Sequence, residues 1–343
     1  MNHNKNDSGP NAVGHKSIVT AVTTAIYDRF SNRGVLPPLD PSLRVDGSTC
    51  LITGASSGLG KAVAIQMAQR GAKLILACRA GHESIVEEIK RASGNHSVEL
   101  MTVDLSDLES ANRLCDQLRD RGITLDIAIL NAGLMPLNAR RSPQGFELMF
   151  SVHFLANRLL LQRWLADGVI RANPQRPPRV VFVASEAHQS SDPIDFNHFG
   201  EFVNYGMKDG MKHYAMSKLH LCTFATELSR RMNPGKQVNV AIHALCPGPI
   251  ASNIARESPA FIKPILWPIM KLLFRSPEKA AEPVVYLACA ADMGRRSGVY
   301  LHMMREKSMS SDARDAGNGQ QLWEKSAVLL QPYTEPARTA EPA

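Results

Sequence analysis

Apolar residues along this chain follow two rhythms that take turns. From Ser48 onward, short apolar runs suited to buried strands alternate with stretches in which apolar residues return every third or fourth position. Thr49 to Ile52 is the first run, and Leu59, Val63 and Met67 mark one face of the helix after it. Further strands are expected at Lys73 to Cys78, Val98 to Val103, Asp126 to Leu130, Arg179 to Ala184, Val238 to Ala244 and Val299 to Leu301. Helices are expected at Glu83 to Ala92, Leu108 to Arg121 and about Gln144 to Trp164, then from just before Tyr214 to near Arg231. A last one opens at Ser276-Pro277-Glu278, an N-cap, a first-turn proline and a carboxylate matched to the helix dipole, and runs to about Ala291. Pro283 is expected to kink that helix or move its start. Strand and helix in alternation predict an α/β fold, a doubly wound parallel sheet covered on both faces. No internal repeat or linker separates two cores, so the pattern describes a single domain.

That domain is placed at residues 46–330. Ahead of it, residues 1–45 form an extension that starts Asn-, His- and Gly-rich and disordered. It continues with a helix over Ser17 to Phe30 and is broken by Pro37, Pro38 and Pro41. The extension is expected to pack on the domain. Residues 331–343 read as a disordered tail.

Composition narrows the class without naming the chemistry. The 343 residues are 44% apolar and 21% charged, as in a soluble globular protein with a sizeable core. The formal charge of +7 comes from scattered basic residues. Cofactor phosphates or a membrane surface account for it, and no nucleic acid is called for. Cys50, Cys78, Cys115, Cys222, Cys246 and Cys289 show no metal-ligand spacing and read as reduced thiols, with no metal site. No apolar stretch is long enough to cross a bilayer and no signal peptide is evident, so a cytoplasmic location is expected.

Between the first strand and its helix lie Gly54, Gly58 and Gly60. A turn that presses backbone N–H groups against a pyrophosphate has no room for β-carbons, and the helix N-terminus adds the positive end of a dipole. Flanked by strand and helix, the turn reads as a dinucleotide site rather than an ordinary glycine-rich connection. Its order, Thr53-Gly54-x-x-x-Gly58-x-Gly60, is not the common Gly-x-Gly-x-x-Gly. It resembles the single-domain branch of the short-chain dehydrogenase/reductase family. The resemblance implies a Rossmann-like fold, with Thr53, Gly54, Ser56, Ser57, Gly58, Leu59 and Gly60 around the cofactor. After the third strand, Asp104-Leu105 is similar to the family's adenine-contacting pair. After the fourth, Asn131-Ala132-Gly133 matches its Asn-Ala-Gly motif. After the sixth, Pro247-Gly248-Pro249-Ile250-Ala251-Ser252 resembles its Pro-Gly turn, which implies that Ile250 and Ser252 hold the nicotinamide.

An enzyme using NAD usually places a carboxylate at the end of the second strand, against the ribose 2′-hydroxyl. This chain has Ala77-Cys78-Arg79 there and no acid between Gly71 and Gly81. Arginine can form charge-assisted bonds to a 2′-phosphate, so NADP(H) is favoured over NAD(H).

Tyr214-Ala-Met-Ser-Lys218 supplies the chemistry. Positions i and i+4 share a helix face, so the phenol and the ammonium converge. A free phenol has a pKa of about 10, and a nearby Lys⁺ together with the positive ring of an oxidised nicotinamide is expected to lower it. It can then exchange a proton with an alcohol or carbonyl oxygen. The family's catalytic serine matches Ser185, and the resemblance also gives Lys218 the nicotinamide ribose. His153 stands where the family carries an asparagine that supports a water between the lysine and solvent. Histidine can donate and accept in its place, with Asn157 one turn on, or the relay has decayed.

The long insertion after Ser185, with Phe196, Phe199, Phe202 and Tyr205, resembles the retinol dehydrogenase and protochlorophyllide reductase-like branch. Ala187-His188, Ala77-Cys78-Arg79 and the tail from Leu322 to Leu330 agree with it. Phe261 to Phe274 reads as an apolar lid. The resemblance implies an NADP(H)-dependent oxidoreductase that interconverts an alcohol and a carbonyl on a lipophilic small molecule. Reduction of a carbon–carbon double bond and a catalytically impaired NADP(H)-binding scaffold or sensor are the alternatives. Peripheral membrane contact and a homo-oligomer are compatible with this reading.

Overall fold

A computed structural model describes residues 35–250 and 275–334. The expected helix over Ser17 to Phe30, Ser252 and the apolar stretch Phe261 to Phe274 lie outside these residues. β1 (Thr49–Thr53), β2 (Lys73–Cys78), β3 (Val98–Thr102), β4 (Ile127–Leu130), β5 (Arg179–Val183), β6 (Ala241–Cys246) and β7 (Val299–His302) run parallel in one sheet. β8 (Arg305–Lys307) adds an antiparallel edge to β7, and the order is β3-β2-β1-β4-β5-β6-β7-β8. β4, β5 and β6 are buried nearly throughout, as strands covered on both faces must be.

Helices α1 (Gly58–Gln69) and α2 (Ser84–Ser93) cover one face, where Met67, Ile89 and Val284 meet β1 and β2 side chains. α3 (Leu108–Asp120), α4 (Ala156–Ala166) and α5 (Gly210–Met232) cover the other around Trp164, Phe154, Phe182 and Phe224. α6 (Pro277–Cys289) lies on the first face with Ser276 as N-cap, its hydroxyl accepting from the Lys279 N–H, and the helix runs on through Pro283. The short α7 (Ser311–Arg314) and the long α8 (Ala316–Thr334) then return the chain to the second face. Ahead of β1, Leu36, Leu39 and Val45 pack against the first core, and the Leu36 N–H donates to the Met304 carbonyl.

The third long helix begins later than its apolar pattern predicts. Gln144 spends its side chain on α3, accepting from the Leu108 N–H and donating to the Asp107 carboxylate. Helical structure starts at Leu148 and passes through a π-helical turn, Phe150–Leu155, before α4. Such widened turns are a recurrent feature of functional sites. This one carries His153.

Candidate active site

The strand order reverses between β1 and β4, and ligands in open parallel sheets bind at that crevice. Here the chain is drawn together tightly. Thr53 Oγ1 accepts from the Asn131 and Ala132 N–H groups at 2.9 and 3.0 Å. Asn131 Nδ2 donates to the Thr53 carbonyl at 2.9 Å and to the Gly54 carbonyl at 3.2 Å. Gly54 has φ +68, and a Cβ on it would sit 2.9 Å from Ala132 Cα. A Cβ on Gly60 would strike the Gly54 carbonyl oxygen and lie 2.5 Å from Asn131 Nδ2. Both positions therefore require glycine.

At the mouth of α1, Ser57 occupies the N-cap in extended backbone without capping through its side chain, and the first turn holds no acid. An anion fits there, facing Gly58 and Leu59. Ser56 lies beside the buried Cys78 at the end of β2, close enough to bear on the thiol's pKa. Arg79 is exposed beyond β2. Asp104 accepts from Ser106 N–H at 2.9 Å beside the buried Leu105. On the far side, Gly248 turns at φ +83 after Pro247, and Ile250 bridges Arg275. These residues lie at or just beyond the carboxyl ends of the parallel strands, where open parallel sheets bind ligands.

Ser185 follows β5 by two residues and caps the 3₁₀ turn Glu186–Ser190. Its Oγ accepts from the Ala187 N–H at 3.2 Å and lies near enough to the phenol of Tyr214, in the second turn of α5, to act on its pKa. One turn on, Lys218 Nζ donates to the Val183 carbonyl at 3.0 Å and lies 5.7 Å from the centre of the Tyr214 ring. Burial pushes the phenol up to about 12 although the Ser185 hydroxyl works to lower it. Burial also pulls Lys218 down to about 8. The sequence expectation of a lowered phenol pKa thus meets a stronger opposing effect, desolvation. At neutral pH Tyr214 holds its proton.

His153 differs from the relay expected of it. The Ser217 hydroxyl donates to the Tyr214 carbonyl at 2.7 Å, so it accepts from His153 Nδ1–H at 2.9 Å. The Leu134 N–H donates to Nε2 at 3.0 Å. Both ring nitrogens are committed, the ring is a neutral Nδ1–H tautomer, and none remains to carry a water toward the lysine. Burial and the neighbouring Lys218 hold its pKa well below the usual range. Asn157 Nδ2 donates to the His153 carbonyl at 2.8 Å, while its buried Oδ1 has no hydrogen-bond partner among the described residues. His153 is a strut between the Asn-Ala-Gly loop and α5, with its ring edge-on to Tyr214 at 5.7 Å. His153→Leu should lower unfolding free energy by about 2–4 kcal/mol in urea titration, because a buried donor and acceptor each lose their partner. His153→Asn, able to restore one bond, should recover part of this. A leucine variant as stable as the parent would remove the strut.

Comparison with known proteins adds the family. The model described as short chain dehydrogenase matches residues 48–194. Retinol dehydrogenase 13 of Homo sapiens is 33% identical over 83% of this chain and 85% of its own length. Retinol dehydrogenase 14 of Homo sapiens is 30% identical over 85% of this chain and 88% of its own. The chain belongs to the short-chain dehydrogenase/reductase family. It is an NAD(P)-dependent oxidoreductase of the retinol dehydrogenase-like branch, acting on alcohol or carbonyl groups. Among solved structures, an uncharacterised protein from Mycobacterium paratuberculosis aligns at TM-score 0.66 and 25% identity, covering 86% of this chain and 98% of its own. The Pseudomonas aeruginosa RhlG/NADP complex aligns at TM-score 0.59 and 21% identity, over 77% and 97% respectively.

Within this short-chain dehydrogenase/reductase frame, the inserted aromatics fasten the loop to the body. Phe199 packs edge-on to Phe150, Phe196 lies against Phe199, and Arg141 covers Phe202 at 3.6 Å. Tyr205 donates to Glu147 at 2.7 Å and stacks on His213. Left exposed just before Tyr214 are Val203, Met207 and Met211. Glu147, Ser217 and Glu186 escaped the sequence reading. Ser217 alone had a local signal, lying three residues after Tyr214 on the same helix.

Proposed function

We propose that this protein is an NADP(H)-dependent oxidoreductase that interconverts a lipophilic alcohol and its carbonyl compound, with Tyr214 as general acid/base, Lys218 beside it and Ser185 orienting the substrate oxygen. The observation that carries this reading is the placement of the Ser185 hydroxyl beside the Tyr214 phenol, with Lys218 one turn away. When bound, the reduced nicotinamide supplies a hydride to the carbonyl carbon. Ser185, whose Oγ accepts from Ala187, turns its proton from the phenol to the substrate oxygen when substrate is bound. Tyr214 gives its proton to the same oxygen, completing the alcohol. Lys218, held by the Val183 carbonyl, directs the remaining N–H groups into the crevice toward a ribose.

Val203, Met207 and Met211 support a lipophilic substrate, since apolar side chains stand exposed beside the helix that carries the phenol. The retinol-linked names of the relatives point to the same class, a long apolar primary alcohol or aldehyde. The test is NADPH consumption with all-trans-retinal and a series of long-chain aldehydes. No turnover across the series, with NADPH bound, would overturn the activity.

Arg79, with no acid nearby in β2, supports the 2′-phosphate preference. Arg79→Ala should raise the Kd for NADPH about tenfold or more while leaving that for NADH nearly unchanged, from loss of one charge-assisted contact. Equal effects on both cofactors would remove arginine from the 2′-phosphate site.

A further inference from the structure

The turn after Ser185 is held from behind by an ionic cluster that the chemistry above does not use. Glu186, adjacent to the serine, has a side chain only 14% exposed. Its Oε2 accepts from the Tyr300 hydroxyl at 3.0 Å, and its Oε1 takes Lys307 Nζ at 2.9 Å. His302 Nδ1 lies 3.8 Å from the same carboxylate. These partners come from β7 and β8, so the carboxylate ties the serine's turn to the sheet edge. A second tie runs through His188, which contacts the Ser185 carbonyl at 2.7 Å through Nδ1 and accepts from the Ser310 N–H at 3.2 Å through Nε2.

A surface ion pair would contribute little, but this one is largely withdrawn from water, and its anion is met by the Lys307 ammonium rather than left bare. Burial works to raise the Glu186 carboxyl, yet His302 and Lys307 outweigh it and hold the group ionised. The cluster adjoins a single residue whose hydroxyl lies near the Tyr214 phenol. Rotation of this turn would carry the serine hydroxyl away from Tyr214, and small misplacements of a reacting group are costly in rate.

We propose that Glu186 is a positioning residue for Ser185: its carboxylate, gripped by Tyr300 and Lys307, fixes the turn that aims the serine hydroxyl at the phenol of Tyr214 and the substrate oxygen. This rests on the proposed roles of Ser185 and Tyr214. Glu186 touches neither substrate nor cofactor in this arrangement.

The test is a double-mutant cycle on full-length protein, with NADPH and the best aldehyde of the series above. Glu186→Gln should lower kcat about tenfold while the NADPH Kd stays within twofold of the parent, since the phosphate cradle is untouched. In a Ser185→Ala background the same substitution should change kcat by less than about twofold, because there is no longer a hydroxyl to aim. An equal loss in both backgrounds, or no loss in the parent, overturns the proposal. If Ser185→Ala itself leaves turnover intact, what fails is the reading of the site. Should Glu186→Gln fold poorly, Tyr300→Phe and Lys307→Met each remove one donor and leave the carboxylate in place. Each should lower kcat, and only when Ser185 is present. Folded variants with parental kcat would overturn the clamp.

Discussion

Tyr214→Phe should reduce turnover by about a thousandfold while leaving NADPH binding close to the parent value, within the range expected for loss of one general acid. The substitution deletes a single oxygen. The ring keeps its edge-on contact with His153 and its distance from Lys218, so the packing around it persists. What disappears is the proton that Tyr214 holds, which burial keeps on the phenol with a pKa of about 12. Ser185 remains to bond the substrate oxygen but has no acid behind it. The measurement is single-turnover reduction of an aldehyde with NADPH, alongside cofactor titration by fluorescence. Turnover within tenfold of the parent would show that another group delivers the proton. Weakened NADPH binding of the same size as the rate loss would instead make the phenol part of the cofactor site.

The parts of this site legible in the sequence are those set by contacts a few residues long. Gly54 and Gly60 are required by the approach of Ala132 and Asn131 to one turn, and the flanking strand and helix announce that turn. Tyr214 and Lys218 converge because a helix brings i and i+4 together. What escaped depends on contacts between distant elements. Nothing in its neighbourhood shows that Gln144 caps α3 rather than opening a helix of its own. β8 has an exposed or half-buried three-residue pattern and exists because it pairs with β7. The role of His153 also turned on tertiary structure. Its residue type allowed a relay, but the Leu134 N–H and the Ser217 hydroxyl decide what each nitrogen does. The phenol is a similar case, since burial acts on it against any cation nearby. A sequence displays the lysine four residues away but not the depth at which both groups are buried.

Stability should fall early on acidification, before most carboxylates titrate. His220 is enclosed by Phe150, Phe154 and Phe199, and burial pulls it down to about 3. His243 lies against the Met293 carbonyl at 2.9 Å through Nε2 and is drawn down to about 4, again chiefly by burial. A histidine whose folded pKa is lowered binds its proton first in the unfolded chain. Its stabilisation is complete above the unfolded value of about 6.5 and is lost as pH falls below it. Each of the two should cost ~1.4 kcal/mol per pH unit in that window, or on the order of 2 kcal/mol apiece by about pH 5. His153 and His188, also lowered chiefly by burial, add to the same slope. His198, raised by its bond to Asp195, works in the opposite sense but is fully exposed. Glu186 and Asp107, both lowered, lose their contribution only near and below the ordinary carboxylate range. Urea unfolding at intervals from about pH 7.5 to 5 reads the slope directly, and His220→Leu should flatten it by one histidine's share. Unfolding free energy that stays constant across this interval would mean that these rings open to water well below the temperature at which the fold melts.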